Sequence, residues 1–129
     1  MGKGYTVLRA GEQEFQPPSW RGPEDPRRIL EIPLHAEMQH SRAHIWRYPP
    51  GVKGRRHLHQ QQEEVFVVLE GTLTMLLGEE RERVELPPQS VVVLSPGTPI
   101  HLMNESDADV VAFIYGAPPV AGDGVILEG

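Results

Sequence analysis

The sequence predicts a single all-β domain, built as a sandwich or a closed barrel. Glycine and proline each occur 13 times in 129 residues, and they interrupt the chain at short intervals. No long window shows the 3.6-residue apolar period of an amphipathic helix. A chain of this length forms one domain, and many short strands between frequent turns are typical of sandwiches and barrels.

Ten short segments carry the apolar pattern of strands. Proline and glycine stand between them at 49–51, 71, 78, 87–88, 96–97 and 118–119. Because these residues end strands and favour turns, they mark the boundaries. Residues 33–42 have room for one short helical turn. The predicted strands are 5–8, 28–32, 43–48, 64–70, 72–77, 83–86, 90–94, 101–104, 110–115 and 125–127.

The chain divides into three parts. Residues 1–39 are expected to form an N-terminal strand and a proline-rich arm that packs on the barrel. Phe15 and Trp20 would attach the arm, since mobile segments rarely carry tryptophan. Residues 40–116 are the predicted barrel core, and residues 117–129 are a C-terminal tail.

The composition excludes several classes of function. The chain has no cysteine, which excludes thiol catalysis, cysteine-ligated zinc, iron–sulfur clusters and disulfides. The formal net charge of −6 disfavours nucleic acid, whose protein partners are usually basic. The apolar runs are too short to span a bilayer, and no secretory signal is recognisable. We therefore expect a cytoplasmic protein with no nucleic-acid or membrane partner.

Two histidines and a glutamate form the most informative pattern. His57 and His59 are two residues apart, so on a strand both imidazoles project from the same face. Glu64 begins an alternating strand, and a turn at 60–62 would bring it opposite the histidines. Two imidazoles and one carboxylate are a ligand set that suits Fe(II) and also Mn, Co, Ni or Zn. The alternative is that these are ordinary core or surface residues.

The spacing around this cluster resembles the first motif of the cupin family. Gly51, His57, His59, Glu64 and Gly71 match that motif at every spacing. A second stretch, 89–104, is similar to the second motif in a degraded form. The resemblance covers residues 40–116 and implies a double-stranded β-helix, or jelly roll, with an internal pocket. It also implies a metal held by His57, His59 and Glu64, with a fourth histidine from the second motif.

The fourth ligand is where the sequence departs from the family. Ile100 occupies its position in an ungapped alignment, and His101 comes one residue late. In one interpretation Ile100 and Leu102 point into the pocket and His101 points away, because a one-residue offset reverses the face of a strand. In another, a bulge at 98–99 makes His101 the fourth ligand. In a third, the metal has been lost, and the cluster binds an organic ligand through hydrogen bonds.

Alternation along the strands suggests the rest of the pocket, although ordinary core packing is the alternative for each residue. The candidates are Trp46, Tyr48, Phe66, Ile100, Leu102, Phe113 and Tyr115. A basic patch beside the first motif either attracts an anionic substrate or is simply solvated. Its members are Arg47, Lys53, Arg55 and Arg56.

The resemblance implies a small stand-alone cupin that holds a divalent transition metal (Fe, Mn, Ni, Co or Zn). It would act on a small organic molecule as an oxygenase, isomerase or decarboxylase. The alternative is a non-catalytic protein that binds a small molecule, without metal because of Ile100. Members of the family often dimerise, and an N-terminal strand and arm would cover an exposed sheet edge, so we expect a homodimer.

Overall fold

A computed structural model describes residues 3–127, so the outermost residues of the expected arm and tail (1–2 and 128–129) lie outside it. Within 3–127 the chain is nearly all-β, with one 3₁₀ helix at Ile32–Leu34. No helix in this range is long and apolar enough to cross a membrane. The strands are β1 (Arg28–Glu31), β2 (Arg42–Tyr48), β3 (His57–His59), β4 (Glu63–Glu70), β5 (Leu73–Leu77), β6 (Glu82–Leu86), β7 (Val91–Leu94), β8 (Ile100–Met103), β9 (Val110–Ala117) and β10 (Gly124–Ile126).

The strands form two five-stranded sheets, in which all the pairings are antiparallel. The first sheet has the order β1-β2-β9-β4-β7, and the second has the order β10-β3-β8-β5-β6. The chain passes repeatedly from one sheet to the other, as it does in a jelly roll. The predicted all-β jelly-roll fold is confirmed.

The apolar core lies between the sheets and follows the period of two. On β4, Phe66 and Val68 are 2% and 1% exposed, whereas Leu69 on the other face is 46% exposed. On β5, Leu73 and Met75 face the core in the same way, and Thr74 between them is buried on the other face. Fully burying a large apolar side chain contributes about 1.5–3 kcal/mol, so these inward rows hold the two sheets together.

The prediction of a strand at 5–8 is wrong. These residues pair with no strand of the described chain, and Tyr5 and Val7 are 68% and 61% exposed. Their alternation therefore corresponds to no buried face. In contrast, β3 is absent from the predicted strands because its three residues are too few to show a period. The other predicted strands are present, with ends that differ by no more than two residues.

The proline-rich arm lies against the first sheet. Ser19 donates hydrogen bonds from its backbone N–H and its hydroxyl to the carboxylate of Glu31, both at 2.9 Å. The Trp20 ring meets Trp46 edge-on, with centroids 5.9 Å apart. The Phe15 ring lies 5.5 Å from an arginine guanidinium of β2. The arm thus packs Trp20 against Trp46, an inward-facing residue of β2.

Segments on both sides of residues 40–116 contribute strands to the sheets. β1 pairs with β2, and it forms one edge of the first sheet. β10 pairs with β3, with Gly124 opposite His59 and Ile126 opposite His57. The C-terminal segment therefore lies directly beside the two histidines singled out in the sequence.

Candidate metal centre

The three candidate ligands meet at one end of the space between the sheets. His57 and His59 are the first and last residues of β3, and Glu64 is the second residue of β4. One ligand atom from each lies within 4.8 Å of the others. The chain turns at 60–62 from the second sheet to the first, which brings His59 and Glu64, five positions apart, into contact.

Both imidazoles are held through Nδ1. Nδ1 of His57 donates to the carbonyl oxygen of Arg55 at 2.9 Å. Nδ1 of His59 faces Oδ2 of Asp123 at 3.5 Å. The Nε2 atoms are therefore left for the cluster, and Nε2 of His59 lies 3.4 Å from Oε2 of Glu64. A metal-bound histidine typically donates its other ring N–H to a carbonyl or a carboxylate in this way.

Asp123 connects the turn to His59. Its Oδ1 accepts the backbone N–H of Gln61 at 2.8 Å, and its Oδ2 accepts that of Gln62 at 2.9 Å. The side chain of Asp123 is fully buried. Because Asp123 directly precedes β10, the pairing of β10 with β3 places its carboxylate behind the His59 ring.

Burial controls the protonation of the cluster. Burial lowers the pKa of His57, and burial with the nearby charges of His57 and Arg42 lowers the pKa of His59 to about 4. Burial raises the pKa of Glu64 to about 7, although Arg42 opposes the rise. Both imidazoles are therefore neutral at pH 7, and the contact between His59 and Glu64 is not an ion pair.

These residues fit a divalent transition ion. Two neutral imidazole nitrogens and a carboxylate oxygen are ligands that Fe, Mn, Co, Ni and Zn accept. A buried carboxylate is costly unless it is paired or bound to a metal, so a cation beside Glu64 would favour the charged carboxylate and offset the effect of burial on its pKa. The cluster can therefore hold one such ion.

The fourth ligand position is apolar. Ile100 lies opposite His57 on β3 and opposite Leu77 on β5, with no bulge in the register. Residues paired in this way share a face, so Ile100 faces inward, where it is 1% exposed. His101 lies on the other face of β8, and its Nε2 donates to the carbonyl oxygen of Gly54 at 2.9 Å. The structure brings three of the four proposed ligands together and leaves His101 outside.

A cavity of about 840 Å³ opens beside the cluster. Four of the predicted pocket residues line it: Trp46, Tyr48, Phe66 and Leu102. The hydroxyl of Tyr48 accepts a hydrogen bond from Arg27 at 3.3 Å, so this polar group is already paired. The volume lies in the range of sites that bind small molecules.

The structure corrects the expectation for the other three pocket residues. Ile114 and Gly116 of β9 line the cavity, whereas Phe113 and Tyr115 lie on the opposite face, where Tyr115 is 39% exposed. Alternation shows that Phe113 and Tyr115 share a face, but it does not show which face of β9 points inward. Ile100 does point inward, but it packs within the core and does not line the cavity.

Sequence reasoning missed several polar residues of the cavity, among them Arg42, Gln62 and Asp123. Arg42 continues the inward row of β2, and Gln62 is two residues before Glu64, so the period of two could have found both. Asp123 gives no such signal, because it lies in a loop far along the chain. Only the pairing of β10 with β3 brings it to His59.

The family of the chain follows from its sequence. The family model for the cupin domain matches residues 44–115, which is more than half of the chain. The chain therefore belongs to the cupin family. No curated protein matches its sequence.

Solved structures of similar fold include enzymes of different kinds. A sugar phosphate isomerase of the cupin superfamily from Silicibacter pomeroyi is 21% identical (TM-score 0.76), with 88% of this chain and 76% of that chain covered. KdgF from Halomonas sp. is 16% identical (TM-score 0.75), with 91% and 96% covered. The polyketide cyclase RemF from Streptomyces resistomycificus is 15% identical (TM-score 0.78), with 97% and 87% covered. At these identities the likeness establishes the shared fold.

Proposed function

We propose that this cupin is a metal-dependent enzyme that acts on a small organic molecule. One divalent transition ion (Fe, Mn, Ni, Co or Zn) would be held by His57, His59 and Glu64. The observation that carries the proposal is the placing of three ligand atoms within 4.8 Å of one another beside a cavity of about 840 Å³. With three protein ligands, coordination positions remain for a substrate. The names of two proteins of similar fold, an isomerase and a cyclase, agree with catalysis on small molecules.

The residues of the cavity have separable roles in this proposal. When bound, the ion supplies Lewis-acid polarisation of a substrate oxygen. Trp46, Phe66 and Leu102 form apolar walls that limit water around the substrate. His44 also lines the cavity, and burial lowers its pKa, so its neutral imidazole can accept a proton. The reaction is an isomerisation, a decarboxylation or an oxygenation.

Elemental analysis tests the metal site. We expect protein purified without chelator to contain about one equivalent of a transition metal, and His59→Ala to lose it. His40→Ala is the matched control, because His40 is exposed and lies outside the cavity. His101→Ala should also keep the metal, since His101 does not reach the cluster. A wild-type protein that takes up none of the five metals after dialysis would overturn the proposal.

Oxygen dependence separates the reaction types. Once a substrate is found by screening the metal-loaded protein, turnover is compared in air and under nitrogen, with oxygen consumption recorded. Oxygenation requires oxygen in proportion to product, whereas isomerisation and decarboxylation continue under nitrogen. The His59→Ala variant should lose turnover in every case, while His40→Ala should retain it.

A non-catalytic binding protein is the second candidate, and the inward position of Ile100 favours it. An apolar residue at the fourth ligand position leaves the ion with fewer protein ligands than the family motif provides. The two candidates differ in the effect of chelation. If chelator-treated protein binds its small molecule as tightly as before and no turnover is found, the binding function replaces the enzymatic one.

A further inference from the structure

Arg42 places a guanidinium in the cavity without an acidic partner. It is the first residue of β2, and it lines the same cavity as Glu64. Among residues 3–127, no carboxylate oxygen lies within ion-pair distance of its guanidinium. Arg21 and Arg27 line the cavity too, but both are paired with Asp25, at 3.6 and 2.9 Å. Arg55 also lines it, but this side chain is exposed to solvent, whereas Arg42 is half-buried. The charge of Arg42 is therefore not balanced by a direct contact.

Gln62 holds the Arg42 side chain in a fixed direction. Nε and Nη2 of Arg42 donate to Oε1 of Gln62 at 3.4 and 3.3 Å. Gln62 is 2% exposed, and its Nε2 donates to the carbonyl oxygen of Pro118 at 3.1 Å. Gly116 leaves space for this amide, since a Cβ at that position would lie 2.3 Å from Oε1 of Gln62. A buried amide thus orients the guanidinium before any ligand binds.

The guanidinium keeps donors free for a ligand. It has five N–H groups, and its contacts within residues 3–127 involve only Nε and Nη2. Nη2 also lies 3.5 Å from Nδ1 of His59, so Arg42 is next to the candidate metal ligands. Nη1 contacts no hydrogen-bonding group of the described chain. A ligand bound at the cluster would be within reach of these donors.

The charges around His59 also favour an anion. Two carboxylates, those of Glu64 and Asp123, face this imidazole. Together they balance one divalent ion, so the metal-loaded site would carry the charge of Arg42 in excess. A charge that is removed from water without a partner is costly, and an anionic group on the ligand would supply that partner.

We propose that Arg42 binds a carboxylate or phosphate group of the ligand, so that the cavity selects anionic small molecules. A guanidinium binds either group through paired N–H···O hydrogen bonds. The description of this ligand as a substrate rests on the proposed function. The anion subsite itself can be measured by binding alone.

Three sugars with the same skeleton test the subsite. Galactose, galacturonate and galactose 6-phosphate differ only at carbon 6, and calorimetric titration gives their affinities. We expect the wild type to bind at least one charged sugar 10-fold or more tightly than galactose. Arg42→Gln should weaken binding of that sugar roughly 10- to 100-fold, with little change for galactose. The comparison of uronate with phosphate identifies the anionic group.

Two further variants sharpen the experiment. Arg47→Gln is the matched control on the same strand, because the guanidinium of Arg47 pairs with Asp109 at the surface and does not line the cavity. It should bind all three sugars as the wild type does. Arg42→Lys should retain part of the preference, since an ammonium keeps the charge but not the planar pair of donors.

The outcomes separate this inference from the proposed function. Equal affinities of the wild type for the three sugars, or no binding of either charged sugar, would overturn the anion subsite. An equal effect of Arg42→Gln on all three would also overturn it, as would loss of metal in that variant. A wild type that takes up none of the five metals after dialysis but still shows the preference through Arg42 supports the subsite and refutes the metal-dependent function.

Discussion

The two ends of the space between the sheets bury different kinds of residue. At the polar end (Gln62, Glu64 and Asp123) the buried side chains are hydrogen-bonding or ionisable. At the apolar end the core side chains (Val68, Leu73, Met75 and Val110) are hydrocarbon or thioether, and the buried amide of Asn104, in the loop that leads to Val110, is hydrogen-bonded to backbone carbonyls. The strand β4 joins the two ends, with Glu64 near its start and Val68 near its finish. The apolar end should therefore stabilise the fold. The buried polar groups at the other end should lower the stability, and they provide the groups for binding.

The largest expected effect is at the apolar end. Met75 is fully buried, so Met75→Ala should lower the free energy of unfolding by about 2–5 kcal/mol through lost burial and a cavity. Urea denaturation measures the loss. Val91→Ala is the control, because Val91 is 57% exposed and its truncation should change little. A Met75→Ala protein as stable as the wild type would show that this end does not supply the stability.

The second prediction concerns the polar end, where a substitution should raise the stability of the protein. In metal-free protein burial raises the pKa of Glu64 from 4.5 to about 7. The folded state then holds this proton more tightly than the unfolded state, so stability falls as the pH rises from 4.5 to 7. Glu64→Gln removes this cost, and at pH 8 the metal-free variant should be more stable than the wild type by about 2–3 kcal/mol.

Urea denaturation with chelator at pH 8 and at pH 5 checks this sign. The advantage of Glu64→Gln should be large at pH 8 and small at pH 5, where the glutamate is protonated in the folded protein. An advantage that stays constant between the two pH values would contradict the assignment of the cost to the buried charge.

The smallest predicted effect concerns the ion pair of Asp25 and Arg27 beside the cavity. Arg27 donates to both carboxylate oxygens of Asp25 and holds the pKa of this carboxyl below its usual value of 3.8. The pair therefore stabilises the fold above pH 3.8, and its contribution is lost as the pH falls through the lowered pKa. Asp25→Asn should reduce stability at pH 7 by about 1–2 kcal/mol, since asparagine keeps one acceptor.

Thermal unfolding from pH 7 to pH 2 measures this contribution. As the pH falls through the lowered pKa of Asp25, the difference between Asp25→Asn and the wild type should shrink, because the wild-type carboxyl is then being protonated. Asp109→Asn is the matched control, since Asp109 pairs with Arg47 at the surface and should matter less. A difference that grows on acidification would contradict the prediction.

The period of two explains both what the sequence could predict and what it could not. It identifies most strands, because one face of each is buried, and it places His57 and His59 on one face. It does not say which face of β9 is inward, and the expectation that Phe113 and Tyr115 line the pocket is therefore wrong. The role of Asp123 cannot be predicted from a local sequence pattern. Asp123 reaches His59 only because β10 pairs with β3, and the two strands are far apart in the sequence.

Two expectations from the sequence stay predictions. Sedimentation velocity at micromolar concentration measures whether the chain is the expected homodimer, and a monomer would show the expectation to be wrong. Fractionation of the source cells tests the expected cytoplasmic location.

The pairing of β10 with β3 has a consequence for biosynthesis. The histidines emerge from the ribosome well before the segment that fixes them, since Gly124 lies opposite His59 and Ile126 opposite His57. Until residue 126 has left the exit tunnel, the three residues of β3 lack this partner strand and the carboxylate of Asp123. The pocket therefore takes its final form only after residue 126 has emerged, and in a stalled chain that ends before β10 the imidazole of His59 lacks the carboxylate of Asp123.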